Sequence, residues 1–139
     1  MKKNILLKLC ILLFSLNSFG QIKASIYTEN YFGLEVNISK KISSELRFKA
    51  NNIGEDFNNE TILFYNLFEK KYYKFKLGLG VNYRLFESDG LDSFIFPFQF
   101  EIKPFEKYNY ISIIFEPSIV SEIESNTYFR SLIGLKISL

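Results

Sequence analysis

The chain has 139 residues, enough for one ordinary domain, with 17 Lys and Arg against 15 Asp and Glu and neither histidine nor tryptophan. The first twenty residues hold Lys2, Lys3 and Lys8 and no acid, so the remainder sets 14 basic residues against 15 acidic ones. That near-neutral balance argues against nucleic acid as a partner, and the lack of histidine excludes Ser-His and Cys-His catalytic pairs and the usual zinc sites.

Residues 1–4 form a short basic head. Residues 5–16 are apolar apart from Lys8 and Ser15, and Ser18 and Gly20 put small side chains at −3 and −1 before Gln21. Head, apolar core and small-residue exit are the three parts of a secretory signal peptide, which predicts cleavage after residue 20 and a single domain over 21–139. A membrane-spanning helix is the competing reading, but a dozen residues broken by Lys8 fall short of the about 20 that a bilayer core requires. The one cysteine, Cys10, lies in this segment, so 21–139 has no thiol for a disulfide or a metal site.

From Gln21 onward the apolar period is two. Breaks in the pattern predict about eight strands: 22–29, 32–39, 42–51, 60–69, 72–86, 93–103, 108–120 and 127–139. One parity runs unbroken from Ile22 to Ser39, so that stretch reads equally as one long strand or as a hairpin over Glu29, Asn30 and Tyr31. Leu46 and Phe48 then alternate with Glu45, Arg47 and Lys49. Residues 60–69 are apolar on both faces. The clearest strand follows, with Tyr73, Phe75, Leu77, Leu79, Val81, Tyr83 and Leu85 opposite Lys74, Lys76, Gly78, Gly80, Asn82 and Arg84. Phe94, Phe96, Phe98, Phe100 and Ile102 alternate with Ile95, Pro97, Gln99, Glu101 and Lys103. At the end of the sequence Phe129, Ile133, Leu135, Ile137 and Leu139 alternate with Arg130, Leu132, Gly134, Lys136 and Ser138.

The connections alternate in charge. One set holds Glu29; Glu55, Asp56 and Glu60; Glu87, Asp89 and Asp92; and Glu122 and Glu124. The other holds Lys40 and Lys41, Lys70 and Lys71, then Lys103 and Lys107 beside Glu106. In an up-and-down barrel alternate connections emerge at opposite ends, which predicts an acidic rim with longer loops and a tight basic one. The fold class expected is all-β, a closed antiparallel up-and-down transmembrane β-barrel of about eight strands.

Alternation alone does not say which face points inward. A secreted soluble lipocalin-like barrel, binding an apolar ligand, would have its apolar row inside. Three features favour the reverse. Several apolar rows are free of charge over a whole strand. The polar row contains small residues (Gly33, Gly78, Gly80, Gly134, Ser112 and Ser118) suited to a crowded lumen. Tyr and Phe gather near strand ends, as in interfacial girdles. Glycine on a solvent-facing row would only weaken a strand.

The closing apolar row resembles the C-terminal strand that bacterial outer-membrane proteins present to the barrel-assembly machinery, except that Leu139 stands where an aromatic is commonest. With the signal segment ending at Gly20, the chain resembles small outer-membrane β-barrel proteins of Bacteroidetes-type bacteria. The resemblance implies an eight-stranded OmpA/OmpX-like barrel, integral to the outer membrane of a Gram-negative cell, contacting outer-membrane lipid and monomeric. It brings no agreed activity.

Inward polar rows would collect Lys23, Arg47, Lys49, Lys74, Lys76, Arg84, Lys103, Arg130 and Lys136 with Glu29, Glu35, Glu45, Glu101 and Glu116. The mid-strand members Glu35, Glu45, Arg47, Arg84, Glu101, Glu116 and Arg130 are the candidate lumen ion-pair network, because an unpaired buried ion is costly. Glu101 and Glu116 as a general acid/base pair is the sharper alternative. Nothing else in the sequence marks a substrate cleft, so no enzyme activity and no cofactor are expected. Eight strands enclose only enough room for side chains, so an open porin is not expected either.

Overall fold

The computed structural model describes residues 21–49, 58–84 and 90–139; the expected signal peptide and the connections 50–57 and 85–89 lie outside the described residues. Eight strands are present: β1 (Ile22–Tyr27), β2 (Tyr31–Asn37), β3 (Ile42–Lys49), β4 (Asn58–Glu69), β5 (Tyr73–Arg84), β6 (Leu91–Ile102), β7 (Ile111–Glu122) and β8 (Thr127–Ser138). Each pairs antiparallel with the next, and β1 pairs with β8, so the sheet closes into a barrel without crossovers.

Residues 22–39 form a hairpin, not one long strand. The chain turns over Thr28–Asn30, with Glu29 and Asn30 both at φ 61°. Asn tolerates that left-handed region, whereas for Glu29 it costs about 1–2 kcal/mol. A three-residue turn leaves parity unchanged: Ala24 pairs with Leu34 and Ile26 with Phe32, and all four belong to the outer row. The alternation therefore runs through the turn as though no turn were there.

Charged, polar and small residues line most of the inside, with a few large apolar ones such as Ile62, Phe64 and Leu132 among them, and the continuous apolar row faces out. In β6, Phe94, Phe96, Phe98, Phe100 and Ile102 are exposed while Ser93, Ile95, Pro97, Gln99 and Glu101 are buried. In β8, Phe129 is 69% exposed and Leu135 56%, whereas Leu132 and Lys136 are buried. Across β4, β5 and β6 the outer row forms an aromatic contact chain, Phe68 against Phe75 at 5.8 Å and Phe75 stacked on Phe100 at 4.5 Å.

The two-faced segment 60–69 resolves into β4, which turns Glu60, Ile62 and Phe64 inward. An irregularity between Asn66 and Phe68 then shifts the register, so that Phe68 pairs with Phe75 on the outside. Large inward rings fit because their neighbours are glycines. The Tyr27 ring lies between Gly33 of β2 and Gly134 of β8; a Cβ on Gly134 would stand 2.7 Å from that ring and 2.8 Å from the Ile26 carbonyl oxygen. Phe64 crosses Gly78 in the same way. Tyr27 and Tyr31 thus belong to the interior.

Several expectations for the connections need correction. Glu60, Asp92 and Glu122 are strand residues. β7 starts at Ile111, so Tyr108 and Tyr110 sit in an eight-residue connection, 103–110, at the basic end, while the acidic end includes the three-residue turn Thr28–Asn30. The basic end is therefore not uniformly tight. Of the three acidic connections expected to be longer, those over 50–57 and 85–89 lie outside the described residues and 123–126 has four residues, while the charge difference holds among the described connections. Glu29 and Glu124 lie at one end; Lys40, Lys41, Lys70, Lys71, Lys103 and Lys107 lie with Glu106 at the other.

Candidate functional site

The inward rows of all eight strands meet in a plug of charged side chains. Among the described residues, five acids (Glu35, Glu45, Glu60, Glu101 and Glu116) and five bases (Lys23, Arg47, Lys76, Arg130 and Lys136) are buried. The interior is therefore electroneutral by formal charge. It divides into two groups, each built around one ion.

Arg47 of β3 is the centre of the first. Its guanidinium grips Glu116 of β7 with both ends, Nη1 to Oε1 at 2.7 Å and Nη2 to Oε2 at 2.6 Å. Nη2 also donates to Glu45 at 3.0 Å, and Nη1 lies 3.7 Å from Glu60. The cation stacks 4.4 Å from the centre of the Tyr27 ring. The Tyr27 hydroxyl donates to Glu45 at 2.7 Å and accepts from Arg47 at 3.2 Å. Arg130 of β8 completes the group by holding Glu60 at 2.5 and 3.2 Å, with its guanidinium 5.3 Å from the Tyr31 ring. Planar guanidinium suits this place, since it bonds carboxylates in its plane and stacks on rings above and below.

Glu35 of β2 is the centre of the second group. Three ammonium groups converge on it: Lys76 at 2.6 Å, Lys23 at 3.5 Å and Lys136. Glu101 lies 3.5 Å from Lys76 and 3.6 Å from Lys136, and accepts a bond from Ser112 Oγ at 2.9 Å. Gln99 of β6 joins the two groups. Its Oε1 accepts from Lys136 at 3.0 Å, and its Nε2 donates to Glu116 at 2.7 Å and to the Tyr27 hydroxyl at 3.3 Å.

Of the seven residues singled out in the sequence, six come together here: Glu35, Glu45, Arg47, Glu101, Glu116 and Arg130. Arg84 does not. It is a third exposed and bonds Asp92 at 2.8 and 3.2 Å at the barrel mouth. Of the wider set, Glu29 is exposed in the β1–β2 turn, Lys74 pairs with Glu69 at 2.9 Å, and Lys49 and Lys103 line opposite mouths. Glu60, Gln99 and Tyr27 escape sequence reasoning as members of the plug. For Glu60 a signal existed: it shares its parity with Ile62 and Phe64, opposite a second apolar row.

Glu101 and Glu116 belong to different groups, each engaged by its own cations. Above and below the plug the barrel opens into polar cavities. That at the acidic end is about 570 Å³, lined by Tyr31, Lys49, Asn82, Arg84, Glu122 and Tyr128 among others; that at the basic end is about 160 Å³. No cluster of three or more His, Cys, Asp or Glu side chains disposed to hold a metal ion occurs among the described residues. No family model, curated protein or solved structure matches the chain.

Proposed function

We propose that the chain is a small integral outer-membrane β-barrel with a structural or surface-interaction role, its lumen closed by the ionic plug. The observation that carries this reading is the polarity of the wall. Large apolar side chains from every strand stand exposed, among them Ile26, Phe32, Leu79, Phe96, Phe115 and Leu135, while ten charged side chains lie inside. Water would favour the opposite arrangement, because apolar area is driven from it and buried ions lose their hydration. A bilayer removes the first objection, since the belt meets acyl chains and closure pairs the backbone groups that lipid cannot satisfy. The second is met inside the barrel, where each buried ion faces an opposite charge.

The twelve residues each of β4 to β8 exceed the about 9–11 that a tilted strand needs to cross. β1, β2 and β3 run six to eight residues, and Ile26, Phe32, Leu34, Ile38 and Ile42 carry the exposed row around that side. On this reading residues 1–20 are the export signal, the barrel-assembly machinery is the partner during biogenesis, and the chain is of the kind of small outer-membrane barrel that Bacteroidetes-type bacteria carry. The plug leaves no path for a large solute, and no catalytic role is assigned to it.

A secreted lipocalin-like barrel is the alternative, and it needs an apolar chamber. Both cavities here have polar linings, which supports the membrane reading. Fractionation tests the choice. The chain is expected in the outer-membrane pellet, released by detergent and migrating differently on gels before and after boiling. Recovery in the soluble fraction without detergent overturns the proposal.

A further inference from the structure

The basic end repeats one arrangement three times. Its connections, 38–41, 70–72 and 103–110, contain six lysines and a single acid, Glu106. In each, one ammonium sits over the face of an exposed tyrosine: Lys41 6.0 Å from the Tyr65 ring, Lys71 5.0 Å from Tyr72, and Lys107 5.7 Å from Tyr108. Tyr73, Phe105 and Tyr110 are exposed beside them. The described connections at the opposite end carry Glu29 and Glu124 and no lysine.

A tyrosine at the edge of an apolar belt places its ring against acyl chains and its hydroxyl among head groups. An ammonium on that ring is held at the same depth, with its stem on apolar surface and N–H donors left over for a head group, although Lys71 spends one of its donors on Glu106 at 2.5 Å. Those donors match phosphate oxygens, and a cluster of four to eight basic residues beside a bilayer is what attracts anionic lipid. Three such pairs spread over three connections address a leaflet around the barrel's edge and not a single ligand in a pocket.

We propose that the lysine–tyrosine pairs of these three connections form a belt that binds the phosphate groups of anionic glycerophospholipids, seating the basic end in the phospholipid leaflet. This rests on the membrane reading above. The test reconstitutes the chain into vesicles of phosphatidylcholine alone and of phosphatidylcholine mixed with phosphatidylglycerol. Insertion is read from gel mobility before and after boiling, and lipid selection from the lipids that remain on the barrel in native mass spectrometry.

Insertion into both vesicles is expected, with phosphatidylglycerol enriched severalfold over its bulk share. The triple variant K41Q, K71Q and K107Q loses the enrichment while still inserting, the matching triple arginine variant keeps it, and E106Q raises it. Insertion with phosphatidylglycerol at its bulk share, or enrichment that the glutamine variant leaves intact, overturns the belt and leaves the membrane reading standing. Failure to insert into either vesicle overturns both.

Discussion

The two halves of the plug are mirror images in charge. Around Arg47 one cation serves three carboxylates, Glu45, Glu60 and Glu116; around Glu35 one carboxylate serves three ammonium groups, Lys23, Lys76 and Lys136. With Arg130 and Glu101 added, the first group has one excess negative charge and the second one excess positive charge, and Gln99 spans the boundary. Neutrality is a property of the whole plug, and each half depends on the other. The halves differ in how they are held. Guanidinium fixes direction through paired bonds and ring stacking, whereas ammonium groups are point charges that substitute for one another.

That difference predicts unequal fragility. Replacing Arg47 by Met leaves Glu60 to Arg130 and strips Glu45 and Glu116 of the cation they pair with. The loss should be about 3–5 kcal/mol, the range for breaking a buried ion pair from one side. Urea unfolding in lipid vesicles, followed by the folded band on unheated gels, measures it. Adding E116Q to R47M should recover part of the loss by removing a stranded charge, a coupling that a double-mutant cycle reads directly. E35Q keeps the shape of the side chain and leaves Glu101 to serve Lys76 and Lys136, so its cost should fall below that of R47M, at about 3 kcal/mol or less. Equal costs for the two centres would show that charge alone, without guanidinium geometry, holds the plug.

Gln99 is the next step down. It bears no charge, but Q99L strips bonds from Lys136, Glu116 and the Tyr27 hydroxyl at once. Leaving those buried groups short of partners should cost about 1–3 kcal/mol. K23M should cost less still, because two other ammonium groups remain on Glu35 and Lys23, at 3.5 Å, is the most distant of the three. If Q99L proves neutral while K23M is severe, the two groups are energetically separate and the mirror-image description fails.

How much of this was legible beforehand follows from the arithmetic of alternation. β5, β6 and β8 could be oriented because one parity is apolar almost throughout and the other holds the charged, polar and small residues, with Ile95, Pro97 and Leu132 as exceptions. β4 could not, because Ile62 and Phe64 face the lumen and Leu63 and Tyr65 face out. Its interior role depends on Gly78 and Gly80 across the ladder, a fact about pairing that no single strand contains. The β1–β2 turn was hidden for a related reason, since an odd number of turn residues returns the chain on the same parity. Of the plug, the charged members on clean strands were visible. Glu60 stands at the expected start of its strand, beside a connection rich in acids, while Tyr27 and Gln99, though on the inward row, carry no charge that marks them as members of an ion-pair network.

The smallest expected effect contrasts the plug with the surface. Lys71 and Glu106 form a fully exposed pair at 2.5 Å, joining the 70–72 turn to the 103–110 connection, and the Tyr72 hydroxyl donates to the same carboxylate at 3.1 Å. Those hydrogen bonds hold the Glu106 carboxyl below its ordinary range, and the bond to Glu106 raises the Lys71 amine above its own. The signs are opposite. A depressed carboxyl contributes stability above its unfolded value that disappears as pH falls through the folded one; a raised amine contributes below its unfolded value and loses this as pH rises through the folded one. The pair therefore acts only in the window between acid and strong alkali, and solvent screening keeps its contribution slight. E106Q compared with the parent should show a small stability difference near neutrality that closes at both extremes and shrinks with added salt. R47M, acting on ions that bulk salt does not reach, should keep most of its deficit at high salt. Matching salt responses in the two variants would mean that solvent and ions penetrate the plug.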